Sequence, residues 1–254
     1  MKVASWNVNS IRVRLEHVLE WLNDAQPDVL GLQELKLPTD DFPTEAFAEV
    51  GYTSLVNGQK TYNGVALLAR TEATNPVIDL PDFEDPQRRV LAATYEDVRI
   101  INLYVPNGQA IDSDKYKYKL DWLEALHNWI AEEILQHEKL CVFGDFNIAP
   151  EDIDVHDPKS WEGKILCSEK ERAALNGLIS LGLQDSFRLF AHPPESFSWW
   201  DYRMAGFRRN RGLRIDLILT SEKIASTAVA AGIDKEPRAL ERPSDHAPVW
   251  LEFD

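Results

Sequence analysis

Seven short apolar runs separated by stretches of helical periodicity constrain this chain more than any other feature. Val3 to Trp6, Val29 to Gln33, Val65 to Ala69, Arg99 to Val105, Leu140 to Phe143, Arg214 to Thr220 and Pro248 to Phe253 have the length and composition of buried strands. Between them, Leu15, Val18, Leu19 and Leu22 recur at helical spacing, as do Tyr116, Leu120, Leu123, Ile130 and Ile134 on the longest helix. Ser168 with Glu171 reads as a capping box that opens a helix carrying Leu175, Leu178 and Ile179. Strands alternating with helices predict an α/β protein. Prolines are dispersed and there is no Gly/Ser linker or short repeat, so residues 1–254 are expected to form one domain.

Composition narrows the function. No stretch reaches the roughly 18 consecutive apolar residues of a membrane span, and the start MKVASWNVNS is strand-like, so a cytoplasmic protein with no membrane partner is expected. Cys141 and Cys167 are too few for a disulfide framework or a four-ligand zinc site. With 42 acidic and 27 basic residues the net charge is −15, which argues against generic polyanion binding. Any contact with nucleic acid must therefore be local. Arg203, Arg208, Arg209, Arg211 and Arg214 follow Phe197, Trp199 and Trp200, and Lys115, Lys117 and Lys119 alternate with Tyr116 and Tyr118. Cations interleaved with aromatics suit a phosphate backbone and unstacked bases, although a solvated loop explains either cluster alone.

Candidate chemistry lies at strand ends. Trp6-Asn7, Gln33-Glu34, Gly144-Asp145-Phe146-Asn147 and Ser244-Asp245-His246 each abut an apolar run, where α/β proteins assemble their sites. Taken singly, Asn7, Glu34 and Asp145 serve equally well as turn or solvated loop residues. The period of two puts Ile215, Leu217 and Leu219 on one strand face and Asp216 on the other, and it separates Tyr104 from Ile101, Leu103 and Val105. An acid inside so apolar a strand requires a partner. His246 beside Asp245 can act as an acid-base element, and Asp216 is a second carboxylate able to share it. Oxygen ligands with a single histidine suit Mg²⁺, with Mn²⁺ as a substitute, and that equipment suits phosphoryl hydrolysis.

SWNVNSIRVR (Ser5 to Arg14), LQELK (Leu32 to Lys36), YNGVALLAR (Tyr62 to Arg70), GDFNIAP (Gly144 to Pro150), NRGLRIDLIL (Asn210 to Leu219) and PSDHAPV (Pro243 to Val249) together resemble the bacterial exonuclease III family of abasic-site endonucleases, within the endonuclease/exonuclease/phosphatase superfamily. The resemblance implies a four-layer α/β sandwich in which two mixed sheets pack face to face with helices outside. It implies that Glu34 is the principal metal ligand, with Asn7 close by and Asn9 in outer reach, and that Asp245 is a second-metal or supporting ligand. It makes Asp145 the residue that orients or deprotonates the attacking water, or protonates the leaving oxygen. Asn147 would help to hold nucleophile and phosphate, Tyr104 would lie near the scissile phosphate, and His246, held by Asp216, would contact a phosphate oxygen. Leu166, Cys167, Leu213 and Ile215 would line the pocket for a baseless sugar, left open by the small Cys167. Lys115, Lys117, Lys119, Arg208, Arg209 and Arg211 are the expected DNA contacts. The implied activity is that of a monomeric Mg²⁺-dependent DNA-repair phosphodiesterase, which incises double-stranded DNA 5′ to abasic sites, clears blocked 3′ ends and has 3′→5′ exonuclease activity. Alternatives are an enzyme acting mainly on 3′ termini, an inactive nucleic-acid-binding regulator, and a small-molecule phosphatase.

Overall fold

The computed structural model describes residues 1–254. The strands are β1 (Lys2–Asn7), β2 (Val29–Gln33), β3 (Thr53–Asn57), β4 (Val65–Ala69), β5 (Thr74–Ile78), β6 (Val90–Tyr95), β7 (Val98–Tyr104), β8 (Leu140–Asp145), β9 (Leu183–Asp185), β10 (Trp199–Trp200), β11 (Gly212–Leu213), β12 (Asp216–Ser221), β13 (Ala228–Ile233) and β14 (Val249–Phe253). The helices are α1 (Ile11–Ala25), α2 (Thr44–Glu49), α3 (Asp114–Gln136), α4 (Pro158–Trp161), α5 (Glu169–Ser180) and α6 (Glu222–Ala225). All seven expected strands and all three expected helices are present. The strands outside that set include β5, a sheet-edge strand containing Pro76, the Ala- and Gly-rich β13, and the very short β9, β10 and β11, none of which carries a strong apolar run. No helix is long and apolar enough to cross a membrane.

One sheet has the order β13-β14-β1-β2-β4-β3 and the other β5-β6-β7-β8-β12-β9. Each contains one parallel pair, β1/β2 or β7/β8, joined through a long helix, α1 or α3. Strand alternation sorts the core into three seams. Val3, Val29, Ile100 and Phe143 meet between the sheets, Leu30 and Leu32 pack on Val18, Trp21 and Leu22 of α1, and Ile101 and Leu103 pack on α3 and α5 through Trp122, Leu126, Leu175 and Leu178. The result is the expected four-layer sandwich, helix on sheet on sheet on helix.

Two local features place the site at one rim. Asn102 of β7 is fully buried between the sheets. Its amide donates to Leu32 O (3.0 Å) and Ala66 O (2.8 Å) across the gap and accepts from Gln33 Nε2 (2.6 Å), which fixes β7 against β2 and β4 just below their ends. Gly144 has φ +149°, and a Cβ there would stand 1.9 Å from Leu103 O, so only glycine lets β8 turn toward Asp145 beside β7.

The run expected to start at Arg214 begins as a strand only at Asp216. Arg214 is instead buried, and its guanidinium binds Asp154 (2.6 Å) and Asp185 (2.7 Å). It therefore belongs to the framework and not to a basic surface.

Candidate active site

The carboxyl ends of both parallel pairs open on the same rim, and strand register sets neighbours side by side. In one sheet Tyr104, Asp145 and Asp216 are adjacent on β7, β8 and β12; in the other Asn7 faces Gln33, with Glu34 next in the chain. Glu34 and Asn147 leave their strands with φ of +53° and +50°, conformations that persist only where the surroundings hold them.

The side chains interlock. Asn7 Nδ2 donates to Glu34 Oε1 (2.8 Å) and to Asp145 Oδ2 (2.9 Å), bridging two carboxylates from different sheets. Asp145 also accepts from the backbone N–H of Asn147 (2.9 Å) and from its side-chain amide (3.2 Å). His246 Nδ1 is bound by Asp216 (2.9 Å), whose Oδ2 accepts from Ser198 Oγ (2.6 Å), and this leaves His246 Nε2 directed at Asp145 Oδ2, 3.7 Å away. One ligand atom each from Glu34, Asp145 and His246 lies within 4.8 Å of the others.

Electrostatics assigns roles. Burial works against a charged imidazole at His246, but Asp216, Asp145 and Asp245 outweigh it and raise its pKa to about 10. At that value the ring keeps both protons at neutral pH, and Nε2 faces Asp145 as a donor. Burial raises the Asp145 carboxyl; His246 opposes this and Asp216 adds to it, leaving the group at about 7. Burial, with the charges of Glu34 and Asp145, pushes the Tyr104 phenol well above its ordinary value, so it remains a protonated donor. The oxygen donors grouped at this rim are those of Glu34 and Asp145, while Asn7 Oδ1 accepts from the Asn9 N–H (3.0 Å). Hard oxygens in a site crowded with negative charge fit Mg²⁺ or Mn²⁺, and the Glu34 side chain is 18% exposed and so reachable from solvent.

Asp245 stands apart from this group. Its oxygens accept from Asn9 Nδ2 (2.9 Å) and Trp199 Nε1 (3.0 Å), and although burial raises its carboxyl, His246, Asn9 and Trp199 together hold it below the ordinary value. Asn9 also accepts from Lys36, whose ammonium pairs with Glu34 at 3.0 Å. Lys36, Ser198 and Asn107 are not singled out by the sequence pattern. Asn107 donates to Asn147 Oδ1 (2.9 Å), and it follows β7 as Asn147 follows β8, so the strand-end rule that finds Asn147 reaches it too.

The expected DNA contacts divide. Arg208, Arg209 and Arg211 are exposed, as is Lys117, which pairs with Asp121. Lys115 is exposed on a cavity of about 670 Å³ beside Tyr104, shared with Arg89, Asn107 and Tyr118. Lys119 is a correction. Its side chain is 0% exposed and its ammonium is bound to Glu171 (2.5 Å), because it shares the inward stripe of α3 with Tyr116, Leu123 and Leu126. It cannot reach DNA. The four expected pocket residues do come together, but they pack against one another with Ala149 and Val155, each at most 5% exposed. Cys167, with Gly163 and Arg172, also borders a surface cavity of about 510 Å³.

Residues 4–246 match the Endonuclease/Exonuclease/phosphatase family. The chain belongs to that family. It is 39% identical over 266 residues to exodeoxyribonuclease III of Haemophilus influenzae, with 100% of both chains covered. It is similar in structure to a 3′ phosphatase from Neisseria bound to product DNA hairpin, at 49% identity and a TM-score of 0.98 over 100% of this chain and 99% of that one. It is similar also to an AP endonuclease from Archaeoglobus fulgidus, at 36% identity and a TM-score of 0.96 over 100% of this chain and 99% of the other. These relatives place it on the exonuclease III side of the family.

Proposed function

We propose that this enzyme uses the Glu34–Asp145–His246 rim to cleave P–O3′ bonds at lesions in double-stranded DNA, both 5′ to abasic sites and at blocked 3′ ends, with 3′→5′ exonuclease activity. It is a DNA-repair phosphodiesterase of the exonuclease III type, and the finer assignment of substrates rests on the site. The observation that carries it is the convergence of strand ends from both sheets on one buried set of carboxylates with a single imidazolium. All these residues come from one chain, which suits a monomer working on chromosomal DNA in the cytoplasm.

A divalent cation, Mg²⁺ or Mn²⁺, held by Glu34, whose carboxylate Asn7 Nδ2 orients, would supply positive charge to the phosphate oxygens. The protein's own groups do the rest. Asp145, near neutrality in pKa, takes the proton of the attacking water as the P–O3′ bond breaks, and the departing 3′-oxygen takes up a proton from solvent to become a 3′-hydroxyl. Asn147 fixes the Asp145 carboxylate through two hydrogen bonds. The His246 imidazolium, oriented by Asp216, and the protonated Tyr104 donate to phosphate oxygens as charge builds on them.

The test uses two duplexes, one with a single synthetic abasic site and one with a nick ending in 3′-phosphate. Both should be processed in Mg²⁺ and neither in excess chelator. Full activity in chelator would remove the metal from the account, and failure on both duplexes would remove the DNA-lesion assignment.

A further inference from the structure

Lys119 and Glu171 form a fully buried ion pair outside the reacting set, and every bond the pair makes goes to a segment that frames the site. An ammonium has three donors, and those of Lys119 meet Glu171 Oε1 (2.5 Å), Asn147 O (2.7 Å) and Asn107 O (3.3 Å). Glu171 Oε1 also accepts from the Leu166 N–H (3.1 Å), while Oε2 accepts from the Ser168 N–H (3.1 Å) and Ser168 Oγ (2.6 Å). A capping box needs only the Ser168 contacts. The bonds to Leu166, to Asn147 and to Asn107 are additional, and they join two loops far apart in sequence.

Both loops carry strain at the joined points. Asn147 has φ +50° and Leu166 has φ +72°, the second an unusual value for a large side chain. A further backbone bond, from Ala149 N–H to Leu166 O at 2.8 Å, ties the same two segments. One segment presents the amides around Asp145, and the other closes the apolar cluster of Leu166, Cys167, Leu213 and Ile215.

We propose that Lys119–Glu171 is a positioning clasp that holds the Asn147 turn and the Leu166–Ser168 loop in one register, so that turnover and the choice between internal abasic sites and free 3′ ends are set together. The choice of substrates rests on the function proposed above; the coupling of the two loops does not. The mechanism is mechanical. Loss of the clasp lets the Asn147 carbonyl drift, which misaligns its amide on Asp145, and frees Leu166 to leave the cluster that a baseless sugar would enter.

The test compares the wild type with the paired variant Lys119→Met/Glu171→Gln, which removes both buried charges together and keeps a Gln able to complete the capping box. Hydrogen exchange of the backbone amides is the first readout. Exchange should rise in residues 145–149 and in residues 164–168 together, with β1 and β14 unchanged. A rise confined to one loop, or in neither, overturns the coupling whatever the substrate. Steady-state kinetics on the abasic and 3′-phosphate duplexes are the second. kcat should fall by about 10-fold or more on both, and the ratio of the two kcat/KM values should shift by at least about threefold. Equal losses would overturn the link to substrate choice. If the wild type cleaves neither duplex, the functional reading fails, and the exchange result alone decides the clasp.

Discussion

Two buried ionic clusters flank the start of β12 and differ in one respect. Arg214, just before the strand, binds Asp154 and Asp185, and Arg188 adds a second cation on Asp154 at 2.5 Å, so two cations meet two carboxylates. Asp216, at the first position of the strand, belongs to a rim where the three carboxylates Glu34, Asp145 and Asp216 form ion pairs with only two cations, His246 and Lys36. Both clusters are hydrogen-bonded throughout, and both lie where desolvation is costly. The first balances its charge and braces the framework. The second carries excess negative charge that a bound cation can offset, which is why burial alone does not separate structural acids from reactive ones.

The largest effect that sharpens the contrast is on stability. Asp154→Ala leaves Arg214 buried without its closest partner and should destabilise the fold by about 3–5 kcal/mol, read from denaturant unfolding. Its kcat should stay within a few-fold of the wild type below the melting range. A stable Asp154→Ala protein would mean that the balanced cluster is dispensable.

Asp145→Asn should do the opposite, lowering kcat by at least ~10²-fold without loss of stability. The folded carboxyl, at about 7, lies above its unfolded value of about 3.9, so the folded state holds the extra proton and stability falls as pH rises between those values. His246 loses stability in the same direction: its contribution is complete below about pH 6.5 and disappears as pH rises through the folded value of about 10. In chelator, Asp145→Asn should therefore gain in Tm over the wild type at pH 8, and the gain should shrink at pH 5. An equal difference at the two pH values would show that Asp145 does not carry the excess charge.

Much of this was legible in the sequence. The central strands are apolar on both faces, so period and length find them, and the same period marks Asp216 as a buried acid. Lys119 was not. Its alternation with Tyr116 and Tyr118 reads as a basic surface, whereas the helical period places it on the inward stripe, and its partner Glu171 comes from another helix that only the fold brings near. Arg214 misleads in the same way, because a run of arginines does not reveal which one has buried acids waiting for it. The arrangement of the apolar cluster around Leu166 depends on packing between loops, which no local pattern encodes.

The smallest effect concerns the exposed arginines, which neither cluster engages. Replacing Arg208, Arg209 and Arg211 with Ala should weaken binding to many DNA sequences alike and lower the slope of log K against log salt by about one unit for each phosphate deprived of its cation, with Tm unchanged. An unchanged slope would place the DNA elsewhere on the molecule.

The central claim is that the unbalanced rim, and not the acidic surface at large, is built for a divalent cation. Thermal unfolding at pH 8 in rising Mg²⁺, at constant ionic strength, tests it most directly on the wild type and Glu34→Gln. A saturable rise in Tm for the wild type that is lost in Glu34→Gln is the predicted result. The same rise in both proteins would contradict the account, because the stabilising ion would then sit somewhere other than Glu34.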